Sequence, residues 1–287
     1  MPIESPRQLR ALCQAGKEAD PGWYFVHRRL SIYVTWVLLH TPVTPNQVTG
    51  LMMLAGVAGA ALLVPHSAAA NIAAFAVLYL AFLLDKVDGE IARYRRVSSV
   101  KGLMLDRLHH LVVEPLIFLA AAWHVWSESR ALGAWMAAWV IVAVGNLVDE
   151  HQHLSAYIMF KHMKGTRKRP DTRRHEAASG LRLMLRAMRP LKGFRMFIVA
   201  VPALALAYVL EAWTGWPAIR TYLYASAAGL AVMLAFQAYY YFVFKLEDEI
   251  GEQAAFLAPD APAVVPAGPA PEADEEDADT VRAAFRA

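Results

Sequence analysis

Six stretches of this chain are apolar over the roughly 17 to 25 residues that a helix needs to cross a bilayer: 48–65, 70–92, 103–126, 131–152, 194–212 and 218–244. Short polar connections separate them. The pattern predicts an all-α fold, a polytopic membrane protein with six transmembrane helices. Upstream, Trp23 to His40 mixes aromatic and aliphatic residues with Arg28 and Arg29, which predicts an N-terminal amphipathic helix lying in the membrane interface. It stops at Thr41-Pro42-Val43-Thr44-Pro45, which reads as a helix end, then an N-cap at Thr44 with Pro45 in the first helical position.

Composition supports the same class, since a chain 57% hydrophobic and only 18% charged lies outside the soluble globular range. Charge adds orientation. Residues 161–195 hold 12 of the 28 Lys and Arg, the segments before the first span and between the second and third are also basic, and the alternate connections offer only Arg130 and Arg220. Positive-inside topology then places both termini in the cytoplasm, with no cleavable signal peptide in the first 30 residues. Three regions result: a cytoplasmic N-terminal segment with the interfacial helix (1–46), a membrane domain (47–250) and an acidic, Pro- and Ala-rich tail expected to be disordered (251–287). The single Cys13 excludes an intramolecular disulfide and a Cys-rich metal site. Lipids are the expected surroundings, and no nucleic-acid partner is expected.

Charge inside spans is expensive, so it marks function. The second span carries Asp85 and Asp88 near its end, and the third carries Asp106, Arg107, His109 and His110 near its start. Residues three or four apart share a helix face, so Asp85 pairs with Asp88 and Asp106 with His110. Bringing the two helix ends together gathers three carboxylates and an imidazole. Bound divalent cations would relieve their mutual repulsion, and hard oxygen donors point to Mg2+ or Mn2+. The bland reading, helix-end acids paired with Arg93, Arg95, Arg96 or Arg107, suits one or two of them but not all four positions. Gly89 and Ala92 keep that face open, Arg93 offers a fork of donors matched to phosphate, and Gly102 can let the third span start close to the second.

From Asp85 to His110 the spacing resembles the signature of the CDP-alcohol phosphotransferase family, Asp-x2-Asp-Gly-x2-Ala-Arg-x8-Gly-x3-Asp-x3-Asp. A second match, Thr44-Pro45-Asn46-Gln47-Val48-Thr49, looks like the stretch before the first span of many members. The resemblance implies transfer of a substituted phosphate from a CDP-linked alcohol donor to the hydroxyl of an alcohol or phospho-alcohol acceptor, with CMP leaving, in phospholipid or related phosphodiester synthesis. It implies a two-metal site held by Asp85, Asp88, Asp106 and the fourth motif position. It also implies a cytidine diphosphate site lined by Gly89, Ala92, Arg93 and Gly102, with Asn46 and Thr49 added from the second match, and a homodimer. The fourth Asp, assigned in the family as general base, is His110 here.

A neutral imidazole can take that proton, and Glu114, one turn further on, can orient it or act in its place. The adjacent His109 reads equally as a polar interfacial residue. The basic connection reads as topology and lipid headgroups, or more sharply as a phosphate holder through Arg195 at the start of the fifth span. The competing functional class is a catalytically impaired member that serves as a nucleotide-binding or regulatory membrane subunit. A transporter fits less well, because the acids gather at one membrane surface rather than mid-span.

Overall fold

The computed structural model describes residues 3–15, 24–97, 99–147 and 195–246, with a few isolated positions between 157 and 193. Most of the basic 161–195 connection and the 251–287 tail therefore lie outside the described residues. The chain forms two compact units, 1–149 with 179–237, and 150–178 with 238–287. The acidic motif, Glu114 and Arg195 all belong to the first unit.

The helices described are α1 (Pro6–Cys13), α2 (Tyr24–Leu39), α3 (Pro45–Leu62), α4 (Ala68–Arg95), α5 (Val100–Ser129), α6 (Leu132–Leu147), α7 (Phe197–Thr214) and α8 (Ala218–Tyr240), the first seven within the first unit and α8 within it up to Gln237. Helices α4, α5, α7, and α8 with its continuation to Phe244, are long and apolar enough to cross a membrane. The other two expected spans are also helical. However, α3 spends its first turns on Asn46, Gln47 and Thr49, and the described part of α6 is shorter.

Helix boundaries follow from caps. Thr44 opens α3 as expected, with Pro45 first, Thr44 Oγ1 accepting from Gln47 N at 3.3 Å, and Gln47 Oε1 accepting from Thr44 N at 2.8 Å. Arg96, in the left-handed conformation at φ 53°, closes α4 while Val97 N donates to Ala92 O. Ser99 then caps α5 by accepting from Gly102 N at 2.9 Å. So α4 ends where α5 begins, and the acid-bearing turns are neighbours.

Small residues let α3 approach both partners. A Cβ on Gly56 would come 2.6 Å from Val113 of α5, and one on Gly59 would come 2.7 Å from Leu78 of α4. The interior holds Met52, Leu78, Ile117, Phe118, Leu204 and Leu223, while Leu54, Ile72, Trp139, Val209 and Trp213 stand on the outside. An apolar exterior around a packed interior suits a lipid solvent.

The N-terminal helix departs from the amphipathic expectation. Ser31, Ile32, Thr35 and Leu39 of α2 are buried, whereas Val26, Leu30, Tyr33, Trp36 and Val37 face outward. Ser31 and Thr35 turn inward with Ile32 and Leu39 because the two hydroxyls have a partner there, while Arg29 stays exposed. Glu90 of α4, fully buried, accepts from Ser31 Oγ at 2.6 Å, Thr35 Oγ1 at 2.5 Å and Gln14 Nε2 at 2.8 Å. Glu90→Leu removes an acceptor from all three, at about 1–3 kcal/mol for a group left unpaired, although Gln14 Nε2 and Ser31 Oγ also donate to Arg28 O at 2.8 and 3.3 Å. A lower thermal midpoint in detergent is expected for it, with Glu90→Gln much closer to the unmodified chain.

Candidate active site

Three ligating side chains converge where α4 ends and α5 begins. Asp85, Asp106 and His110 each present one ligand atom, and all three atoms lie within 4.8 Å of one another. The helical repeat sets this up, because Asp106 and His110 are one turn apart on α5 and Asp85 faces them from α4. Lys86 pairs with Asp85 and sits over the Phe82 ring. Asp88 shares the α4 face but turns toward α3, where Thr49 Oγ1 donates to its Oδ2 at 2.7 Å.

Beside the cluster is a cavity of about 550 Å³. Thr44, Pro45, Asn46 and Thr49 of the α3 start form one wall; Asp85, Asp88, Gly89, Ala92 and Arg95 form the second; Val97, Ser99, Gly102, Leu103 and Asp106 form the third. Asp85 and Asp106 belong to both cavity and cluster. They are a shared wall.

Of the cluster's members, His110 has its Nδ1 3.0 Å from Glu114 Oε1. The other carboxylate oxygen of Glu114 is 3.6 Å from Arg195 Nη1, and Arg195 Nη2 donates to Asn146 Oδ1 at 3.0 Å. Arg195 crosses so close over Gly145 that any Cβ there would collide with its Cδ and Nε. A chain of side chains thus runs from α6 through Arg195 and Glu114 to the imidazole. Glu114 and Arg195 are both buried.

A family model described as CDP-alcohol phosphatidyltransferase matches residues 42–224, which takes in α3, both acid-bearing helix ends and Arg195. The chain belongs to that family. The fold is similar to the Mycobacterium tuberculosis phosphatidylinositol phosphate synthase PgsA1 solved with CDP-DAG bound, at TM-score 0.50 and 18% identity over 75% of this chain and 94% of that one. The apo form of that synthase gives TM-score 0.46 and 17% identity over 74% and 95%. No curated protein sequence matches. Membership makes the chain a CDP-alcohol phosphatidyltransferase, a phosphotransferase of phospholipid biosynthesis integral to the membrane. Metal binding is typical of the family, and the oxygen and imidazole donors gathered here fit a divalent cation.

Against that family pattern, the residues singled out in sequence fall into three groups. Asp85, Asp106 and His110 cluster, with Glu114 behind His110. Asn46, Thr49, Asp88, Gly89, Ala92 and Gly102 line the cavity. Arg93 and Arg195 do neither. Arg93 Nε donates to Cys13 O at 2.6 Å, tying the end of α1 to α4, and its Nη1 lies 3.2 Å from where a Gly89 Cβ would be.

Gly102 also differs from expectation. The close neighbour it permits is Asn46 of α3, 2.9 Å from a built Cβ, rather than any residue of α4. His109 is buried against Phe197 of α7, ring centroids 6.0 Å apart, and lies outside the cluster. Sequence reasoning missed Arg95 as a cavity residue; it donates to Val43 O at 2.5 Å and Thr41 O at 3.0 Å, fixing the turn that enters α3. The only prior signal was its place in the basic last turn of α4.

Proposed function

We propose that this enzyme transfers a substituted phosphate from a CDP-linked alcohol to the hydroxyl of a second alcohol, with His110 as general base oriented by Glu114. The observation that carries the reading is the shared pair: Asp85 and Asp106 line the cavity and also cluster with His110. The donor's cytidine diphosphate occupies the cavity, and the acceptor hydroxyl approaches from the side of His110. A donor of this kind is supported by the family and by the PgsA1 structure with CDP-DAG bound.

Asp85, Asp88 and Asp106 would hold two divalent cations, Mg2+ or Mn2+, which would neutralise the diphosphate and stabilise departing CMP, and the lone pair of His110 stays free for the proton. The protein groups do the rest. His110 Nδ1–H donates to Glu114 Oε1, which fixes the tautomer and leaves Nε2 as the basic nitrogen. Arg195 holds Glu114 in place, so it acts as a positioning residue at one remove from the reaction. The acceptor oxygen bonds to phosphorus, the phosphorus bond to CMP breaks, and the hydroxyl proton passes to His110. Arg93 could meet phosphate only by turning its guanidinium tip across Gly89 while Nε keeps Cys13 O.

The same reading takes all six apolar helices as spans, α2 as an interfacial helix, and both termini with the acid cluster as cytoplasmic, where CTP-derived donors are found. A homodimer accompanies it.

CMP release from a panel of CDP-alcohols with Mg2+ or Mn2+ tests the proposal directly. Release that depends on an added alcohol and disappears in Asp85→Ala supports it. Tight CDP-alcohol binding with no CMP from any donor would instead make the chain a nucleotide-binding subunit. Gly102→Ala should push Asn46 away from the cavity and raise KM for the donor about tenfold, or roughly 1.4 kcal/mol, with kcat much less affected.

A further inference from the structure

The far ends of α4 and α5 carry a second group of ligating side chains. At about 1.5 Å per residue, the stretches 71–88 and 106–128 put it roughly 25–33 Å from the acid cluster. There a cavity of about 640 Å³ is lined by His66 from the turn before α4, Asn71 of α4, His124 and Glu128 of α5, and Tyr208 and Glu211 of α7.

Ligand atoms of His66, His124 and Glu128 lie within 4.8 Å of one another. His66 Nδ1 is 2.9 Å and His124 Nε2 is 4.0 Å from Glu128 Oε1. These values straddle the edge of a tetrahedron whose ligands sit at zinc distances, about 3.4 Å. His66 Nε2 is already held by Ser127 Oγ at 2.5 Å, the kind of outer contact that orients a metal-binding imidazole.

Around the group, Asn71 Oδ1, His124 Nδ1 and Tyr208 OH are buried without a hydrogen-bond partner, and all three residues line the cavity. His124 and Tyr208 are themselves more than nine-tenths buried, with their rings 4.7 Å apart. An ion pair between His66 and Glu128 alone would leave these atoms unexplained.

We propose that this cavity is a second metal site, holding one divalent cation of the zinc class through His66, His124 and Glu128. Two imidazoles and a carboxylate favour zinc-like ions over Mg2+, in contrast to the oxygen-rich cluster at the other end. The fourth position would be left to a water in the cavity that Asn71 and Tyr208, with their orphaned oxygens, also line. Exposure of Glu128 and part of His66 gives the ion a way in. Occupancy ties the turn before α4 to the end of α5, and an ion that binds only the folded chain stabilises it by mass action.

The test uses the full chain in detergent, stripped by chelator and titrated with Zn2+, and with Co2+ as a visible probe. One Zn2+ equivalent should survive in an Asp85→Asn, Asp106→Asn double variant, accompanied by tetrahedral Co2+ bands and a raised thermal midpoint. His66→Gln and His124→Ala should each lose that equivalent and the thermal shift, while His66→Gln keeps normal CMP release in Mg2+. If buried His124 does not tolerate alanine, His66→Gln and Glu128→Gln decide alone. Undiminished Zn2+ affinity in those two variants overturns the site. So does the absence of any bound equivalent in the double variant.

Discussion

CMP release by a His110→Ala variant is expected to fall roughly 10²–10⁴-fold, the usual contribution of a positioned general base, while His110→Asp keeps appreciable turnover. The expectation rests on where the imidazole sits. It shares a cluster with Asp85 and Asp106, and its Nδ1 is engaged by Glu114, itself braced by Arg195 and Asn146. Aspartate restores the family's usual residue one helical turn from Asp106, but it cannot reach back to Glu114 as the longer ring does.

His110 has two possible roles, and they separate cleanly. Rescue of His110→Ala by excess Mn2+ assigns it to cation binding; rescue by imidazole in the buffer assigns it to proton transfer. Near-normal turnover without rescue removes it from the mechanism. Gly145→Ala tests the support behind it, since any Cβ there displaces Arg195. Lower kcat at unchanged donor KM is expected, because Arg195 is absent from the cavity lining.

Asp106→Asn is expected to reduce turnover on the order of 10³-fold or more, since the charge stabilisation it supports is worth several kcal/mol. Asp85→Asn should match it. Both carboxylates line the cavity and cluster with the imidazole, so losing either is expected to weaken cation binding beside both proposed substrates. Mn2+ binding followed by electron paramagnetic resonance, alongside CMP release, checks the prediction. Full Mn2+ affinity with full turnover in either variant would show that the cluster is structural. Asp88→Asn makes an informative comparison, because Asp88 accepts from Thr49 Oγ1 and is not among the three side chains whose donor atoms cluster.

How much of the site was legible in sequence depended on contact range. Motif spacing and the helical repeat were enough to bring Asp106, His110 and Glu114 onto one face of α5, and Thr44-Pro45 announced the start of α3. Asp85 and Asp88 also share a face, yet they divide between two neighbours, because α3 packs against the side of α4 that carries Asp88. The same intervening helix explains Gly102, whose close approach is to Asn46 and could not be inferred from α4 and α5 alone.

Glu90 was invisible for a different reason. Its partners Gln14, Ser31 and Thr35 precede it by 76, 59 and 55 residues, and nothing local distinguishes it from a solvated helix-end acid. His66 and His124 are likewise brought together only by packing. Counting apolar residues identified the helices but says less about α3 and α6, one carrying polar site residues in its first turns and the other described over a shorter length.

Burial of Glu90 has a consequence for biogenesis. As α4 leaves the ribosome it carries a carboxylate that hydrocarbon would reject, but the three groups that satisfy it belong to segments already synthesised. Gln14, Ser31 and Thr35 all precede α4 in the chain. The chain's early helices can therefore act as an internal escort for a later one, and a fusion partner placed ahead of α1 should impair membrane integration before it impairs catalysis.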